Sequence, residues 1–257
     1  MARRVFALSF VVASSLAVLG GCSETGPSIN DVNRLVGGTT LVEGKAVSTW
    51  ADVDFLGNVS RVGVTMDADL VANPPTEPGT GPLGAVAVLP FPEAIRNVTV
   101  FNHFELHWNM AGHEPNHIYG VPHFDLHSYF IPEGEVRAIA PPDSVAPNAN
   151  RVPEGYTYPG VGAAVPMMGV HASPNSDFAP GFEFEKTMIL GYWGGNMIFL
   201  EPMITQAFLQ AKQGYSIQMP VPEVLGRNAN YPTRFSATFD AARNVWDFVY
   251  SDFVIKS

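Results

Sequence analysis

The chain has 257 residues, of which 46% are hydrophobic, and its 24 acidic and 14 basic residues give a formal net charge of −10 at pH 7. An acidic surface repels phosphate, and no cluster of lysine and arginine offsets that repulsion, so we expect no nucleic-acid partner. The single cysteine excludes a disulfide within one chain and a zinc site built from several thiolates.

The N-terminus has the pattern of a bacterial lipoprotein signal. Two arginines precede an apolar run over residues 5–19, which is too short to cross a bilayer comfortably and ends in "LGGC", whose cysteine is Cys22. We predict that residues 1–21 are removed as a signal peptide, that Cys22 carries lipid, and that residues 22–43 form the lipidated terminus and a tether. The alternative is an uncleaved secretory signal that ends in a chance cysteine.

Lipidation would place the protein in the bacterial cell envelope, with the membrane as partner through the N-terminal lipid. Ser23, in place of an aspartate after the cysteine, indicates the outer membrane where the host has one. Removing residues 1–21 removes two arginines and no acid, which leaves 12 basic against 24 acidic residues and a charge of −12. Such a charge raises the local concentration of cations.

Two β-hairpins are predicted from alternating apolar and polar residues. The first covers residues 46–67 and turns at Gly57-Asn58, and the second covers residues 234–253 and turns at residues 241–244. Long proline-rich stretches lie between them, and such loops are usually functional or poorly ordered.

A helix is predicted over residues 202–213. Pro202 suits a first helical turn, an apolar stripe follows it, and Gly214 supplies a stop. No composition shift marks a domain boundary. We therefore expect residues 44–257 to form a single α+β domain, mainly antiparallel β-sheet with one or two short helices.

Six of the seven histidines lie within residues 103–127. This segment begins with "HFELH" and ends with "HFDLH", and as strands both copies place His, carboxylate and His on one face. Residues two apart on a strand lie about 7 Å apart and can share an ion, whereas residues four apart lie about 13 Å apart and cannot. The candidate ligand pairs are His123 with Asp125, or Asp125 with His127, completed by a neighbouring strand; on a helix, His123 and His127 would meet directly.

Between the two copies, "HEPNH" fits the zinc-protease pattern H-E-x-x-H, which presents both histidines to one ion only on a helix. Pro115 lies inside the pattern and glycines flank it, so a helix of that length is hard to build. We expect a loop that places His113 over the sheet. His113 would then be a further nitrogen donor or a mobile gate, and His117 would have no defined role.

Two later motifs supply further candidates. "VPMMGVHASP" contains the last histidine, His171, and "GGNMIFLEPMIT" places Glu201 at the end of an apolar strand. Glu201 could also orient His171 in a hydrolase without metal, although nothing in the sequence identifies its nucleophile.

Together these motifs resemble a known family. The series HW-N-x-x-GHEP-x-x-IY-x-x-PHFD-x-H-x-Y, then P-x-MGVH and MIF-x-EPMIT, is similar to a family of bacterial secreted and lipid-anchored proteins, classed as a domain of unknown function and represented by a Thermus protein under extracytoplasmic (sigma-E) sigma-factor control. The resemblance covers residues 44–253 and implies a mixed α and β fold and a possible homo-oligomer, but no activity. Six residues fall on its motif positions: His113, His123, Asp125, His127, His171 and Glu201. The histidines at 103, 107 and 117 do not clearly do so.

The residues predict a site for a divalent metal, with zinc as the first choice and iron, manganese or copper as alternatives, because a mixed nitrogen and oxygen donor set suits several ions. The expected nitrogen donors are His123, His127 and His171, converging on one point. The expected oxygen donor is Glu201 or Asp125.

Two rival functions stay open at this stage. One is a structural or stress-related envelope protein whose histidines only hydrogen-bond to carboxylates. The other is a metal-dependent hydrolase or oxygenase that uses the same ligands with one open position. Met167, Met168 and Met203 could serve copper as soft ligands, but methionines at such positions are more often core.

Overall fold

The computed structural model describes residues 32–257. The predicted signal peptide, the predicted lipidation site Cys22 and the first part of the predicted tether lie outside the described residues. Within residues 32–257, no helix is longer than five residues, and none is long and apolar enough to cross a membrane.

Strands make up most of the described chain. In chain order they are β1 (Asn33–Val42), β2 (Lys45–Val53), β3 (Val59–Asp67), β4 (Ala87–Pro90), β5 (His103–Asn109), β6 (His123–Tyr129), β7 (Tyr156–Thr157), β8 (Val170–Pro174), β9 (Lys186–Trp193), β10 (Asn196–Thr205), β11 (Tyr215–Gln218), β12 (Ala229–Asp240) and β13 (Val245–Lys256).

The helices are short and lie between the strands. The α-helices are α1 (Ala68–Ala72), α2 (Glu93–Arg96), α3 (Asn116–Tyr119), α4 (Glu133–Arg137) and α5 (Gln206–Gln210), and the 3-10 helices are Pro82–Gly84, Ala149–Arg151, Val161–Ala163 and Asn175–Phe178. The prediction of mainly antiparallel sheet with short helices is confirmed, but the α+β class overstates the helical content.

The strands form two antiparallel sheets. The first sheet has six strands in the order β1-β2-β3-β13-β12-β11, and the second has seven in the order β4-β5-β6-β10-β9-β8-β7. Both predicted hairpins are present in the first sheet, as β2 with β3 and as β12 with β13. The two near-copies HFELH and HFDLH are neighbouring strands of the second sheet, β5 and β6, with Glu105 opposite His127.

The folded domain begins earlier than residue 44, the start expected from the sequence. β1 covers most of the second half of the predicted tether and pairs with β2 from Asn33 opposite Val53 to Val42 opposite Lys45. At Gly38, β1 runs so close to Pro90 of β4 that a Cβ would come within 2.7 Å of the proline ring. The two sheets therefore touch along the edges formed by β1 and β4.

One face of the second sheet packs against the first sheet. Alternation along β5 and β6 turns Phe104, Leu106, Phe124 and Leu126 into an apolar core that includes residues of both sheets, such as Phe248. A shared core of this kind is consistent with one domain. The histidines and carboxylates, at the intervening positions, necessarily lie on the opposite face of the second sheet.

The predicted helix over residues 202–213 is wrong in its first four residues, which belong to β10. The helix α5 starts only after Thr205, whose side-chain oxygen accepts a hydrogen bond from the backbone N–H of Phe208 at 3.2 Å. Because β10 is paired on both sides and buried on both faces, its apolar residues are nearly continuous and imitate a helical stripe.

Candidate metal centres

The first candidate centre consists of His113, His123 and Asp125, whose ligand atoms lie within 4.8 Å of one another. His123 and Asp125 are two apart on β6, and the loop before α3 brings His113 over them. The Nε2 atom of His123 lies 3.1 Å from one oxygen of Asp125, and Nε2 of His113 lies 3.4 Å from the other. The β6 residues are buried and His113 is half-buried, so the centre is reached through its loop side.

Backbone carbonyls fix the orientation of both imidazoles. Nδ1 of His123 lies 2.7 Å from the Val121 carbonyl oxygen, and Nδ1 of His113 lies 2.8 Å from that of Glu114. A carbonyl can only accept, so each Nδ1 carries the hydrogen, and in the neutral imidazole the lone pair is on Nε2. Both lone pairs therefore face Asp125, which is itself an acceptor.

The charges of this centre are set by its own members. Burial opposes ionisation of Asp125, but His113 and His123 outweigh it and hold the pKa of Asp125 far below its usual range. Burial likewise opposes protonation of His113, but Asp125 and the Glu114 carbonyl raise the pKa of His113 above 6.5. Without a metal, the centre thus favours a carboxylate beside an imidazolium.

The second candidate centre consists of His127, His171 and Glu201, again with ligand atoms within 4.8 Å of one another. His127 comes from β6, Glu201 from the adjacent strand β10, and His171 from β8, two strands further on. Nε2 of His127 lies 3.3 Å from one Glu201 oxygen, and Nε2 of His171 lies 3.7 Å from the other. Within the described chain, neither ring nitrogen of His127 has a hydrogen-bond partner.

Phe199 supports this second centre from β10. Its ring contacts His127 and His171 with centroid separations of 5.0 and 5.2 Å. It lies across Gly191 of β9, where a Cβ would come within 1.9 Å of the ring. A glycine is needed at this position because the aromatic ring occupies the space of a side chain.

The electrostatics of the second centre are opposite to those of the first. Burial and the charge of Asp125 raise the pKa of Glu201 well above its usual range. Burial, together with the neighbouring charge of His107, lowers the pKa of His127 well below 6.5, and burial with the charge of His113 lowers that of His171 to about 4. Without a metal, this centre favours neutral groups throughout.

The structure divides the six predicted ligands into two groups of three, although the sequence predicted that His123, His127 and His171 converge on one point. His123 belongs to the first centre and the other two to the second. The reason lies in the strand: His123 and His127 are four residues apart on β6 and cannot reach one ion. Asp125 is the carboxylate of the first candidate centre, and Glu201 is that of the second.

The zinc-protease geometry of HEPNH is not formed. Helix α3 begins after Pro115, so His113 lies outside it, and His117 is exposed and belongs to neither centre. The expected loop over the sheet is present and brings His113 to Asp125.

Four residues of β5 join this face and were not among the predicted ligands. Asn109 donates a hydrogen bond of 2.6 Å from its Nδ2 to Asp125. Glu105 lies 3.5 Å from Nε2 of both His103 and His107, and these two imidazoles, against the effect of burial, lower the pKa of Glu105 to about 2. The alternation of HFELH indicated this row of polar residues, but it could not show that the row borders the candidate centres.

Both centres border one cavity of about 730 Å³ on the outer face of the second sheet. Its lining includes His113 and Asp125 of the first centre and all three residues of the second, together with His107. Most of the remaining lining is apolar, for example Val165, Phe178 and Ile189 of β9, and no lysine or arginine from residues 32–257 borders the cavity. The two centres therefore face the same space.

The chain shows no significant match to a protein-family model, to a curated protein or to a solved structure. The family resemblance of its motifs therefore stays a prediction, and the function has to be inferred from the site itself.

Proposed function

We propose that this protein binds two divalent metal ions, zinc in the first place, one at each candidate centre. The observation that carries this proposal is the arrangement of acceptors in the first centre. Because His113 and His123 both use Nδ1–H on backbone carbonyls, their Nε2 lone pairs and the Asp125 carboxylate all face one point. A metal ion at that point would bind both lone pairs and balance the carboxylate charge, and histidine ligands of zinc commonly donate their second N–H to a backbone carbonyl in this way.

The separations between ligand atoms support the same proposal. A tetrahedral ion with bonds of about 2.1 Å places its ligand atoms about 3.4 Å apart. The four nitrogen–oxygen separations in the two centres are 3.1, 3.4, 3.3 and 3.7 Å. Three of these exceed the 2.7–3.2 Å typical of an N–H···O hydrogen bond. Because the two nitrogens of each centre approach different oxygens of one carboxylate, both separations fit one ion when that carboxylate binds it through both oxygens.

The second centre gives an independent reason. His127 is buried with both ring nitrogens unpaired among the described residues, and one oxygen of Glu201 is also unpaired. Each unpaired buried polar group costs about 1–3 kcal/mol. A bound ion would pair the Nε2 atoms of both histidines and the carboxylate at the same time, whereas without a metal a protonated Glu201 has one hydrogen to donate to the two histidines.

The test is metal content after zinc loading and gel filtration at neutral pH, in untagged protein. We expect about two ions per chain in the wild type and about one in each of Asp125→Asn and Glu201→Gln, because each variant removes the charged donor of one centre. His117→Ala is the matched control, since His117 is exposed and lies outside both centres. A wild type that retains no zinc, or variants that retain as much as the wild type, would contradict the proposal.

The cavity favours a second function, a metal-dependent hydrolase or oxygenase. Each centre supplies three protein ligands, and both centres border the same cavity, so bound ions would keep positions open toward a small molecule. We expect the visible spectrum of the cobalt-loaded protein to change on addition of a small hydroxamate. An unchanged spectrum would show that the ions have no position open to the cavity and would favour a binding role alone.

We further propose that the protein is exported and lipid-anchored through Cys22, from the "LGGC" motif after a short apolar run. Cells expressing the full-length chain and supplied with a palmitate analogue should label the wild type and not Cys22→Ala. Equal labelling of both would contradict the anchor.

A further inference from the structure

The start of β1 and the end of β2 lie together at one end of the first sheet. Residue 32 immediately precedes β1, and Asn33 pairs with Val53 at the end of β2. The turn from β2 into β3, residues 54–58, lies at the same end. Because all strands of this sheet are antiparallel, the C-terminal end of β13 and the first residues of β12 lie there as well.

Exposed apolar side chains accumulate at this end. Six large ones belong to it, and we call them the N-terminal rim: Val32, Phe55, Leu56, Val98, Val254 and Ile255. Phe55 and Leu56 form the hairpin tip, and Val98 joins them because its carbonyl accepts a hydrogen bond from the backbone N–H of Asn230, at the start of β12. The exposed fraction reaches 69% for Leu56 and 81% for Ile255.

Exposing this many apolar side chains to water is unfavourable in free energy. Neighbouring strands lie about 4.8 Å apart, so the rim from β1 to β13 spans about 15 Å across one end of the sheet. Exposed apolar patches with a polar surround are typical of sites that contact a protein or a membrane.

We propose that the N-terminal rim docks on the lipid bilayer and inserts its apolar side chains at the interface. This inference rests on the proposed lipid anchor at Cys22. Residues 23–31 are nine residues and span at most about 30 Å when fully extended, so the point at which the chain enters the domain stays close to the membrane. That point lies in the rim itself, at Val32, and the hairpin tip with Phe55 and Leu56 is beside it.

The acidic net charge defines the kind of membrane contact. After processing, the chain has a charge of −12 and is repelled by anionic headgroups. Insertion of apolar side chains, and not charge attraction, therefore stabilises the membrane contact. Vesicles of phosphatidylcholine, whose zwitterionic headgroup has no net charge, are therefore the appropriate probe.

The test uses full-length, lipidated protein reconstituted in these vesicles. Lipid on Cys22 leaves the chain without a free thiol, so Leu56→Cys or Ile255→Cys can carry an environment-sensitive dye at one position. Leu41→Cys is the matched control, because Leu41 is 67% exposed on the same sheet but lies at its opposite end, opposite Ala46.

We expect the dye at positions 56 and 255 to emit at shorter wavelength and to be quenched by doxyl-labelled lipid, while the dye at position 41 shows neither effect. Quenching that is equal at all three positions would overturn the docking surface. A shift in wavelength without quenching would also overturn it, since the rim would then be covered by protein, such as a second copy. Failure of the anchor is recognised separately, by a chain that neither carries palmitate label nor floats with vesicles, and that outcome overturns both proposals.

Discussion

Replacing Gly191 by alanine should disturb the second candidate centre without touching any of its ligands. The added Cβ would come within 1.9 Å of the Phe199 ring, where ordinary contact begins near 3.4 Å, so the ring has to retreat by about 1.5 Å. Phe199 is fully buried and packs against Tyr129 as well as His127 and His171, so it has no free space to move into. Overpacking of this kind costs about 1–3 kcal/mol of unfolding free energy.

Urea unfolding of the metal-free protein measures that cost. With a slope of about 2 kcal/mol per molar urea, the midpoint should fall by about 0.5–1.5 M. Zinc loading should then give close to one ion per chain, because displacement of Phe199 separates His127 from His171, while the first centre keeps its geometry.

The control is Gly134→Ala in α4. Gly134 is exposed, and a Cβ there would meet nothing within 4 Å. Alanine in a helix is favoured over glycine by up to about 1 kcal/mol, so this variant should be as stable as the wild type or more so. A Gly191→Ala protein with the wild-type midpoint and two zinc ions would refute the reasoning about Phe199.

Three further outcomes are expected. A chelator added to zinc-loaded protein at neutral pH should lower the melting temperature, since an ion at a hundredfold excess over its Kd stabilises the fold by about 2.7 kcal/mol, and calorimetry with His117→Ala as control measures this. Phe124→Ala should reduce the unfolding free energy in urea by about 3–5 kcal/mol, because Phe124 is fully buried in the core between the sheets. Burial opposes ionisation of Asp52, but ion pairs with Arg34 and Arg61 outweigh it and lower the pKa of Asp52 below 3.8. Its stabilisation is therefore complete above pH 3.8 and is lost as the pH falls through the lower folded value, so the difference in unfolding free energy between the wild type and Asp52→Asn should shrink below pH 3.8 in urea titrations.

The fold was predictable where its signal is local. Alternation around Gly57-Asn58 and around residues 241–244 predicted the two hairpins, because side-chain direction and turn chemistry are properties of adjacent residues. β1 was missed because Gly37 and Gly38 interrupt its alternation of apolar and polar residues. Glycine is needed there because Pro90 of β4, which is far away in the sequence, lies too close for a Cβ. The stripe in residues 202–213 was misassigned because a strand buried on both faces and an amphipathic helix present similar apolar runs.

The candidate site was predictable only in part, for the same reason. That His123 and Asp125 form a pair followed from their spacing on a strand. The identity of the strands that flank β6 did not follow from the spacing. The sequence therefore could not show that Glu201 and His171 group with His127, or that His123 groups with His113. The cavity over both centres is built by loops distant in sequence, and no local pattern predicts it.

The order of strands has a consequence for aggregation. An exposed sheet edge offers unpaired backbone groups to another chain, and long flat edges are sites of edge-to-edge association. In the described part of this chain, the edges formed by β7 and β11 have only two and four residues, and the longer edge of β1 lies against β4. Among residues 32–257, these edge strands therefore offer a second copy only short segments on which to extend a sheet. A homo-oligomer of the kind that the motif resemblance implies is therefore expected to assemble mainly through the faces and loops of the described domain.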